Sequence, residues 1–289
     1  MDNMRDLRAR MRSVRQSLQM TTAMKLISTS KLRKARRRLE DTLPYFEGIR
    51  TTMAEIIARS GLDRGRWFTA PDEADPRRCA TLVITADRGL AGGYNNSIIR
   101  YVEENTPHGS MLMPIGFVGK RTFAERNYVF LADFPLMPKE PSIANAREIA
   151  NLVVRLYNSG EIDRFRVVFT RMVSMVKQTV EEIDLLPLSR GKIVESESST
   201  RPASMMTFIP DEETLLDLLV PAYLKGIIYG ALIESFACEQ AARMTAMESS
   251  SKNAKDMLDR LQLLYNRARQ GAITAEVSEI VAGAAALNG

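Results

Sequence analysis

Apolar residues recur with alternating spacings of three and four over two long stretches of the chain, a pattern that is typical of coiled-coil helices. The first stretch, residues 2–58, contains one proline, Pro44, and one glycine, Gly48. It therefore predicts one continuous helix that could kink at Pro44. The predicted seam consists of Met4, Leu7, Met11, Val14, Leu18, Thr21, Lys25, Ser28, Leu32, Ala35, Leu39, Thr42, Phe46, Ile49, Met53 and Ile56.

The second stretch runs from Asp211 to Leu287 and follows Pro210, with acidic residues at 211–213 that suit the positive end of a helix. Pro221 is expected to kink its first turns. Many seam side chains are small, which allows two helices to approach closely. The predicted seam consists of Tyr223, Gly226, Gly230, Ile233, Ala237, Gln240, Met244, Met247, Ser251, Ala254, Leu258, Leu261, Tyr265, Ala268, Ala272 and Ala275.

Between these stretches, short β-branched runs alternate with helical ones. We predict strands at Ala80–Thr85, Pro114–Val118, Tyr128–Ala132 and Arg166–Thr170, and crossover helices at 94–105 and 143–159. This order favours a small parallel or mixed sheet.

The chain thus divides into a coiled-coil helix at 1–58, a linker at 59–77, a central α/β domain at 78–209 and a second coiled-coil helix at 210–289. Because a compact domain interrupts the two helices, we expect its ends to lie close together and the helices to pair antiparallel. The fold class is α/β: a long antiparallel two-helix coiled coil plus a central Rossmann-like domain. The second helix is the longer, so its tip should be unpaired.

Charge is concentrated at one end of the chain, since residues 1–40 contain 12 Lys or Arg and only three acidic residues. No stretch approaches the roughly 20 uninterrupted apolar residues of a membrane span, and the most apolar late segment, Ile227–Ala237, contains Glu234. The polar, basic N-terminus does not resemble a secretory signal, which favours the cytoplasm. Cys79 and Cys238 are far apart in sequence and indicate neither a disulfide framework nor a zinc site.

Catalytic chemistry finds little support in the sequence. His108, the single histidine, stands in a turn-like Thr-Pro-His-Gly, so no histidine-based triad can be built. Residues 116–121 have the wrong spacing for a phosphate-binding Walker loop and end in Arg121. We predict no catalytic residues, no cofactor and no metal site.

The segment 84–95, ITADRGLAGGYN, lies between a predicted strand and a predicted helix, where a dinucleotide loop would lie. Its glycines do not match GxGxxG. The favoured interpretation is a tight structural turn formed by Asp87, Arg88, Gly89, Gly92 and Gly93, with a nucleotide-binding enzyme as the alternative.

The basic run 31–38 could bind nucleic acid, since clustered Lys and Arg neutralise phosphates. It lacks interleaved aromatic residues and keeps the coiled-coil seam, so an acidic protein partner fits better. The seam turns polar at Thr21, Lys25 and Ser28, which leaves two possibilities open: contact with another partner, or local repacking of the coiled coil.

Three segments, in order, resemble the gamma subunits of bacterial-type F-type ATP synthases. They are the basic helix Leu7–Lys31, the turn 84–95, and the string EQAARMTAM at 239–247 followed by LLYNRARQGAITAEVSEIVAGAAA at 263–286. The resemblance covers essentially the whole chain. It departs from the family at Thr22, where a basic residue is usual, at Ala91, where cysteine is common, and at Ser251–Ala254.

The resemblance implies a non-catalytic central rotor shaft, peripheral to the cytoplasmic face of the cell membrane, that couples proton or sodium transport to ATP synthesis or hydrolysis. Its implied partners are the alpha/beta hexamer, the epsilon subunit and the membrane c-ring, with no nucleic acid. Catalysis would belong to the beta subunits. The implied contacts with the stator are Met24, Lys25, Lys31, Arg33, Lys34, Arg36, Arg243, Gln270, Thr274 and Glu279.

Overall fold

The computed structural model describes residues 4–60, 66–68, 78–107, 109–131, 140–174, 177–189, 191, 193 and 211–287. The chain forms two compact units, Met1–Ser28 with Arg243–Gly289, and Thr29–Ala242. The elements are α1 (Met4–Ser60), β1 (Cys79–Ile84), α2 (Tyr94–Asn105), β2 (Met111–Ile115), α3 (Phe117–Glu125), β3 (Val129–Phe130), α4 (Ile143–Asn158), β4 (Arg164–Met172), β5 (Gln178–Leu186) and α5 (Glu212–Leu287).

The seam predicted for α1 is confirmed, because all of its 16 residues are buried or half-buried. Pro44 lies inside the helix on an exposed face. Off the seam, Met20, Leu26 and Ile27 are more than half exposed. The three-four repeat therefore identified the packed face of this helix correctly.

In the first unit, α1 and α5 pair antiparallel, as predicted. Arg8 Nη2 donates to Tyr265 Oη at 2.6 Å, and Lys25 Nζ donates to Glu248 Oε1 at 2.7 Å. From Arg8 to Lys25 along α1, the partner on α5 moves back from Tyr265 to Glu248, so the two helices run in opposite directions. Leu7 and Leu261 are buried at this interface, as an apolar seam requires.

The tip of α5 extends beyond its pairing with α1. The register places Ala268 opposite the first turn of α1, and residues 269–283 are all exposed. Ala272 and Ala275 were predicted to belong to the seam and are exposed, because the register places them beyond Met4, the first described residue of α1. The prediction of an unpaired tip is confirmed.

The second unit contains a five-stranded mixed sheet in the order β3-β2-β1-β4-β5. Strands β1 to β4 pair parallel, and β5 pairs antiparallel with β4. One core cluster joins the sheet to α1, α4 and α5, and a second joins it to α2 and α3. Both faces of the sheet are therefore covered, as is usual for parallel strands.

Two details of the predicted sheet are wrong. The strand predicted at Pro114–Val118 runs from Met111 to Ile115, and Pro114 lies inside it opposite Val83. The residues that follow form α3, because Gly116, at a φ of 90°, turns the chain and the helix begins at Phe117. Strand β5 was missed altogether. Within the predicted strand Tyr128–Ala132, β3 comprises Val129–Phe130, and Ala132 lies outside the described residues.

Within Glu212–Gly283 of α5, one 18-residue window is apolar enough to cross a membrane, and half of that window is buried within the protein. A core helix requires the same composition. Leu216, Val220 and Leu224 of α5 are at most 2% exposed and belong to the core cluster that contains β1 and β4. Packing in the second unit explains why this part of α5 is so apolar.

Candidate functional site

The turn after β1 is stabilised by hydrogen bonds of Thr85 and by a hydrogen bond to the first residue of α3. Thr85 Oγ1 donates to the Ile115 carbonyl at 2.8 Å and accepts from the Gly119 N–H at 3.0 Å. Asp87 Oδ1 accepts from the Phe117 N–H at 3.1 Å, which satisfies a free donor at the start of α3. These contacts tie the end of β1 to the loop that follows β2.

The glycine-rich part of the turn needs unusual backbone angles. Leu90 and Gly92 have φ values of 62° and 56°, in the left-handed region. Arg88, Gly89 and Gly93 are exposed, and Gly93 precedes the first residue of α2. The structure thus brings the five predicted turn residues together between β1 and α2.

The carboxyl end of β1 is packed with side chains where a doubly wound sheet would bind a dinucleotide. Ala91 and Tyr94 are buried there in one cluster with Cys238 of α5. Burial raises the pKa of Tyr94 far above its ordinary value. These contacts favour the structural turn over the nucleotide-binding alternative.

The basic run on α1 contacts other residues of the second unit. Lys34 Nζ and Arg38 Nη1 lie 3.1 and 3.0 Å from Glu140 Oε2. The hydrogen bond from Lys34 lowers the pKa of the Glu140 carboxyl below its ordinary value, against a smaller opposing effect of burial and with the help of the positive charges of Lys34, Arg38 and Lys31. Lys31 Nζ lies 5.9 Å from the centre of the Phe236 ring.

Two further cations of this run were predicted to meet a stator. Arg36 Nη2 lies 3.0 Å from Met172 Sδ, and Arg33 is exposed. The contacts of Lys31, Lys34 and Arg36 with residues of their own unit carried no sequence signal. Their role at a stator stays a prediction.

The polar part of the α1 seam packs against α5 within the first unit. Ser251 Oγ donates to Thr21 Oγ1 at 2.7 Å, and Lys25 reaches Glu248. Of the two possibilities left open by the sequence, these contacts favour repacking within the coiled coil. Met24 is half-buried beside them and lies off the seam.

The C-terminal residues predicted to meet a stator fall into two environments. Arg243 is only 9% exposed. Gln270, Thr274 and Glu279 are exposed on the tip of α5. The tip also exposes Ile273, Val277 and Ile280, each at least half exposed. A partner that surrounds the tip would therefore meet both apolar and polar side chains.

Sequence reasoning missed a set of polar residues in α5 that binds the backbone of β4. Ser235 Oγ accepts from the Thr170 N–H at 3.1 Å, and Glu234 Oε1 accepts from the Met172 N–H at 3.2 Å. Cys238 Sγ donates to the Thr170 carbonyl at 3.4 Å. We call Glu234, Ser235 and Cys238 the α5–β4 contact. Their position in an otherwise apolar helical stretch is the signal that could have revealed them.

The ionisation of this contact follows from its burial. Burial, with the nearby Glu234 carboxylate, raises the pKa of the Cys238 thiol to about 12, so the thiol keeps the proton that it donates. Burial also raises the pKa of Glu234, against the opposing effects of the Met172 N–H and Arg171. Across the described residues, no group of three or more His, Cys, Asp or Glu could hold a metal ion. His108 lies outside the described residues.

Comparison with known proteins gives full-length matches. A family model described as ATP synthase matches residues 3–287. The ATP synthase gamma chain of Acetivibrio thermocellus is 42% identical, covering 99% of this chain and 100% of the relative. The sodium ion specific ATP synthase gamma chain of Acetobacterium woodii is 37% identical, covering 99% of each.

Solved structures show the same fold. A chain of the Tetrahymena thermophila mitochondrial ATP synthase central stalk and c-ring structure matches with a TM-score of 0.62 and 24% identity, covering 80% of this chain and 99% of that one. A chain of the Euglena gracilis mitochondrial ATP synthase OSCP/F1/c-ring structure matches with a TM-score of 0.63 and 18% identity, covering 98% and 94%.

Proposed function

The chain belongs to the ATP synthase gamma chain family, and from this premise we propose that it is the central rotor shaft of an F-type ATP synthase. The observation that carries the proposal is the match at 42% identity over 99% of the chain and the whole relative. The antiparallel pairing of α1 with α5 and the exposed tip of α5 suit a shaft that turns inside a ring of other subunits.

As the shaft, the chain performs no chemistry and transmits torque. The membrane c-ring turns it, driven by protons or sodium ions, and its asymmetric surface acts on the alpha/beta hexamer. Each beta subunit is biased in turn between open and closed nucleotide-binding states, because the shaft contacts these states differently. Catalysis resides on beta, and the chain is a peripheral protein on the cytoplasmic face of the membrane.

The parts of the chain divide this work. The coiled-coil helices at 1–58 and 210–289 form the shaft, and the α/β domain at 78–209, joined through the linker at 59–77, binds epsilon and the c-ring. Met24, Lys25, Lys31, Arg33, Lys34 and Arg36 meet the beta subunits from α1. Arg243, Gln270, Thr274 and Glu279 meet the stator from α5. The exposed polar and apolar residues of the α5 tip support this assignment.

The proposal is tested by assembly. The chain is co-expressed with alpha and beta subunits of a close bacterial relative, and the purified complex is weighed by native mass spectrometry. We expect one copy for each three alpha and three beta subunits. MgATP hydrolysis should be lost when residues 263–289 and the N-terminal helix are removed together. A full-length chain that stays out of the complex would contradict the proposal.

Met24→Lys is expected to weaken the coupling of ATP hydrolysis to ion pumping without unfolding the chain. Met24 is half-buried off the seam, so the lysine ammonium can reach water while its stem stays packed. The added charge beside Lys25 changes the electrostatic contact with the stator. We expect the ratio of pumping to hydrolysis in membrane vesicles to fall about fivefold or more.

Met24→Leu is the matched control for this prediction, because it conserves volume and adds no charge. It should couple as the wild type does. An unchanged ratio in Met24→Lys would count against a stator contact at this position.

A further inference from the structure

The α5–β4 contact replaces a missing strand at the end of β4. Strand β1 pairs with β4 only as far as Val83 opposite Val168, whereas β4 continues to Met172 and stays paired with β5 on its other side. Beyond Val168, the edge of β4 that faced β1 would therefore expose backbone donors and acceptors. Thr170 and Met172, two residues apart, point their backbone groups to this same edge.

Side chains of α5 satisfy these backbone groups. Ser235 Oγ accepts from the Thr170 N–H, and Cys238 Sγ donates to the Thr170 carbonyl. Glu234 Oε1 accepts from the Met172 N–H. From β5, Gln178 Nε2 donates to the Cys238 carbonyl at 3.1 Å, so α5 is tied to two strands. Ser235 and Cys238 are both fully buried. Backbone groups this deep in a protein are costly to leave without a partner.

We propose that Glu234, Ser235 and Cys238 form a torque joint, which locks α5 to the sheet so that rotation imposed on the α/β domain turns the helix with it. This inference rests on the proposed role as a rotor shaft. Apolar packing is non-directional, so it allows a helix to slide or turn slightly on a sheet. Hydrogen bonds have a preferred direction, and rotation of α5 against β4 would break several at once.

The proposed joint predicts which activities of the complex a weakened α5–β4 contact would change. ATP hydrolysis without an opposing ion gradient needs only a shaft that turns in the hexamer. Pumping against a gradient, or synthesis, must pass torque between the α/β domain and α5, and a loosened joint yields under that load. The two readouts therefore separate a defect of the joint from a defect of catalysis.

The test uses the complete ATP synthase with the double variant Ser235→Ala, Cys238→Ala, which removes the bonds to both backbone groups of Thr170. The torsional stiffness of the rotor is measured on single immobilised hexamers with the load attached to the α/β domain. The limiting ion gradient is measured in proteoliposomes. We expect unloaded hydrolysis to stay near the wild-type rate, while stiffness falls at least about twofold and the limiting gradient falls with it.

Two variants guard against a merely structural explanation. Cys238→Ser keeps a donor for the Thr170 carbonyl and should retain wild-type stiffness, whereas Cys238→Ala should lose part of it. Ile149→Val truncates a buried apolar side chain on α4 that makes none of these hydrogen bonds, and it should lower thermal stability without softening the rotor. If the double variant fails to assemble, the comparison of Cys238→Ala with Cys238→Ser decides.

Equal stiffness and equal limiting gradient in the alanine variants and the wild type would overturn the joint. A wild-type chain that does not enter the hexamer would instead overturn the proposed function itself. The first result concerns the α5–β4 contact alone, and the second concerns the identity of the shaft.

Discussion

Replacing Trp67 with alanine is expected to lower the free energy of unfolding by about 3–5 kcal/mol, the usual cost of removing a buried tryptophan. Trp67 is 3% exposed. Its ring stacks on Tyr157 with centroids 5.7 Å apart, and its Nε1 donates to Asp217 Oδ1 at 2.7 Å. The variant therefore loses core packing and one hydrogen bond to Asp217, which keeps Arg66 as its ion-pair partner.

Urea unfolding followed by circular dichroism measures this loss, since the variant lacks the protein's single tryptophan. Tyr157→Phe serves as the control. It keeps the stacked ring and loses only the bond from the Tyr157 hydroxyl to the Arg66 carbonyl, so it should cost about 1 kcal/mol. A loss below about 1 kcal/mol in Trp67→Ala would contradict the importance of this packing.

Gly116→Ala is expected to destabilise the chain by about 2–6 kcal/mol, the sum of backbone strain and overpacking. Gly116 has a φ of 90°, and a Cβ atom there would lie 2.2 Å from the backbone oxygen of Thr85. Neither atom can move without disturbing the end of β1 or the start of α3. The change thus acts where the turn after β1 is tied to the loop after β2.

Gly92→Ala is a matched control, because Gly92 also has a positive φ, of 56°, but a Cβ atom would meet nothing within 4 Å. Its expected cost is about 1–2 kcal/mol, the strain of the left-handed backbone alone. Trp67 fluorescence during urea unfolding can compare both variants. Equal losses in the two would show that the close approach to Thr85 does not limit this position.

The long helices could be predicted from sequence because a coiled-coil seam repeats locally. Each position of the α1 seam is fixed by neighbours three and four residues away, and the repeat continues even where Thr21 and Lys25 interrupt the apolar pattern. The unpaired tip followed from the unequal lengths of the two helices.

The missed elements depend on partners that are distant in sequence. Strand β5 contains Glu181 and Glu182, which look like loop residues until Arg171 and Arg166 pair with them across the strands, at 3.0 and 2.9 Å. Trp67 lies within the predicted linker, yet it is buried by residues of α4 and α5. Neither the arginines that pair with β5 nor the residues that bury Trp67 produce a local sequence pattern.

The candidate site shows the same division. Exposed residues on the α5 tip could be named from the resemblance, since they need no partner within the chain. The contacts of Lys34 and Arg36 with Glu140 and Met172 could not, because these residues are more than 100 positions apart. The α5–β4 contact was missed for the same reason, since its acceptors and donors are backbone groups that β1 leaves unpaired.

The antiparallel pairing in the first unit has a consequence for synthesis on the ribosome. Arg8 meets Tyr265, 257 residues later in the chain. The first described turns of α1 thus wait for their partner until these 257 further residues have been synthesised. Their apolar seam is exposed during that interval, when nascent chains are most prone to aggregate. This helix pair cannot form before residue 265 has been synthesised, and a chain released before that point cannot form it.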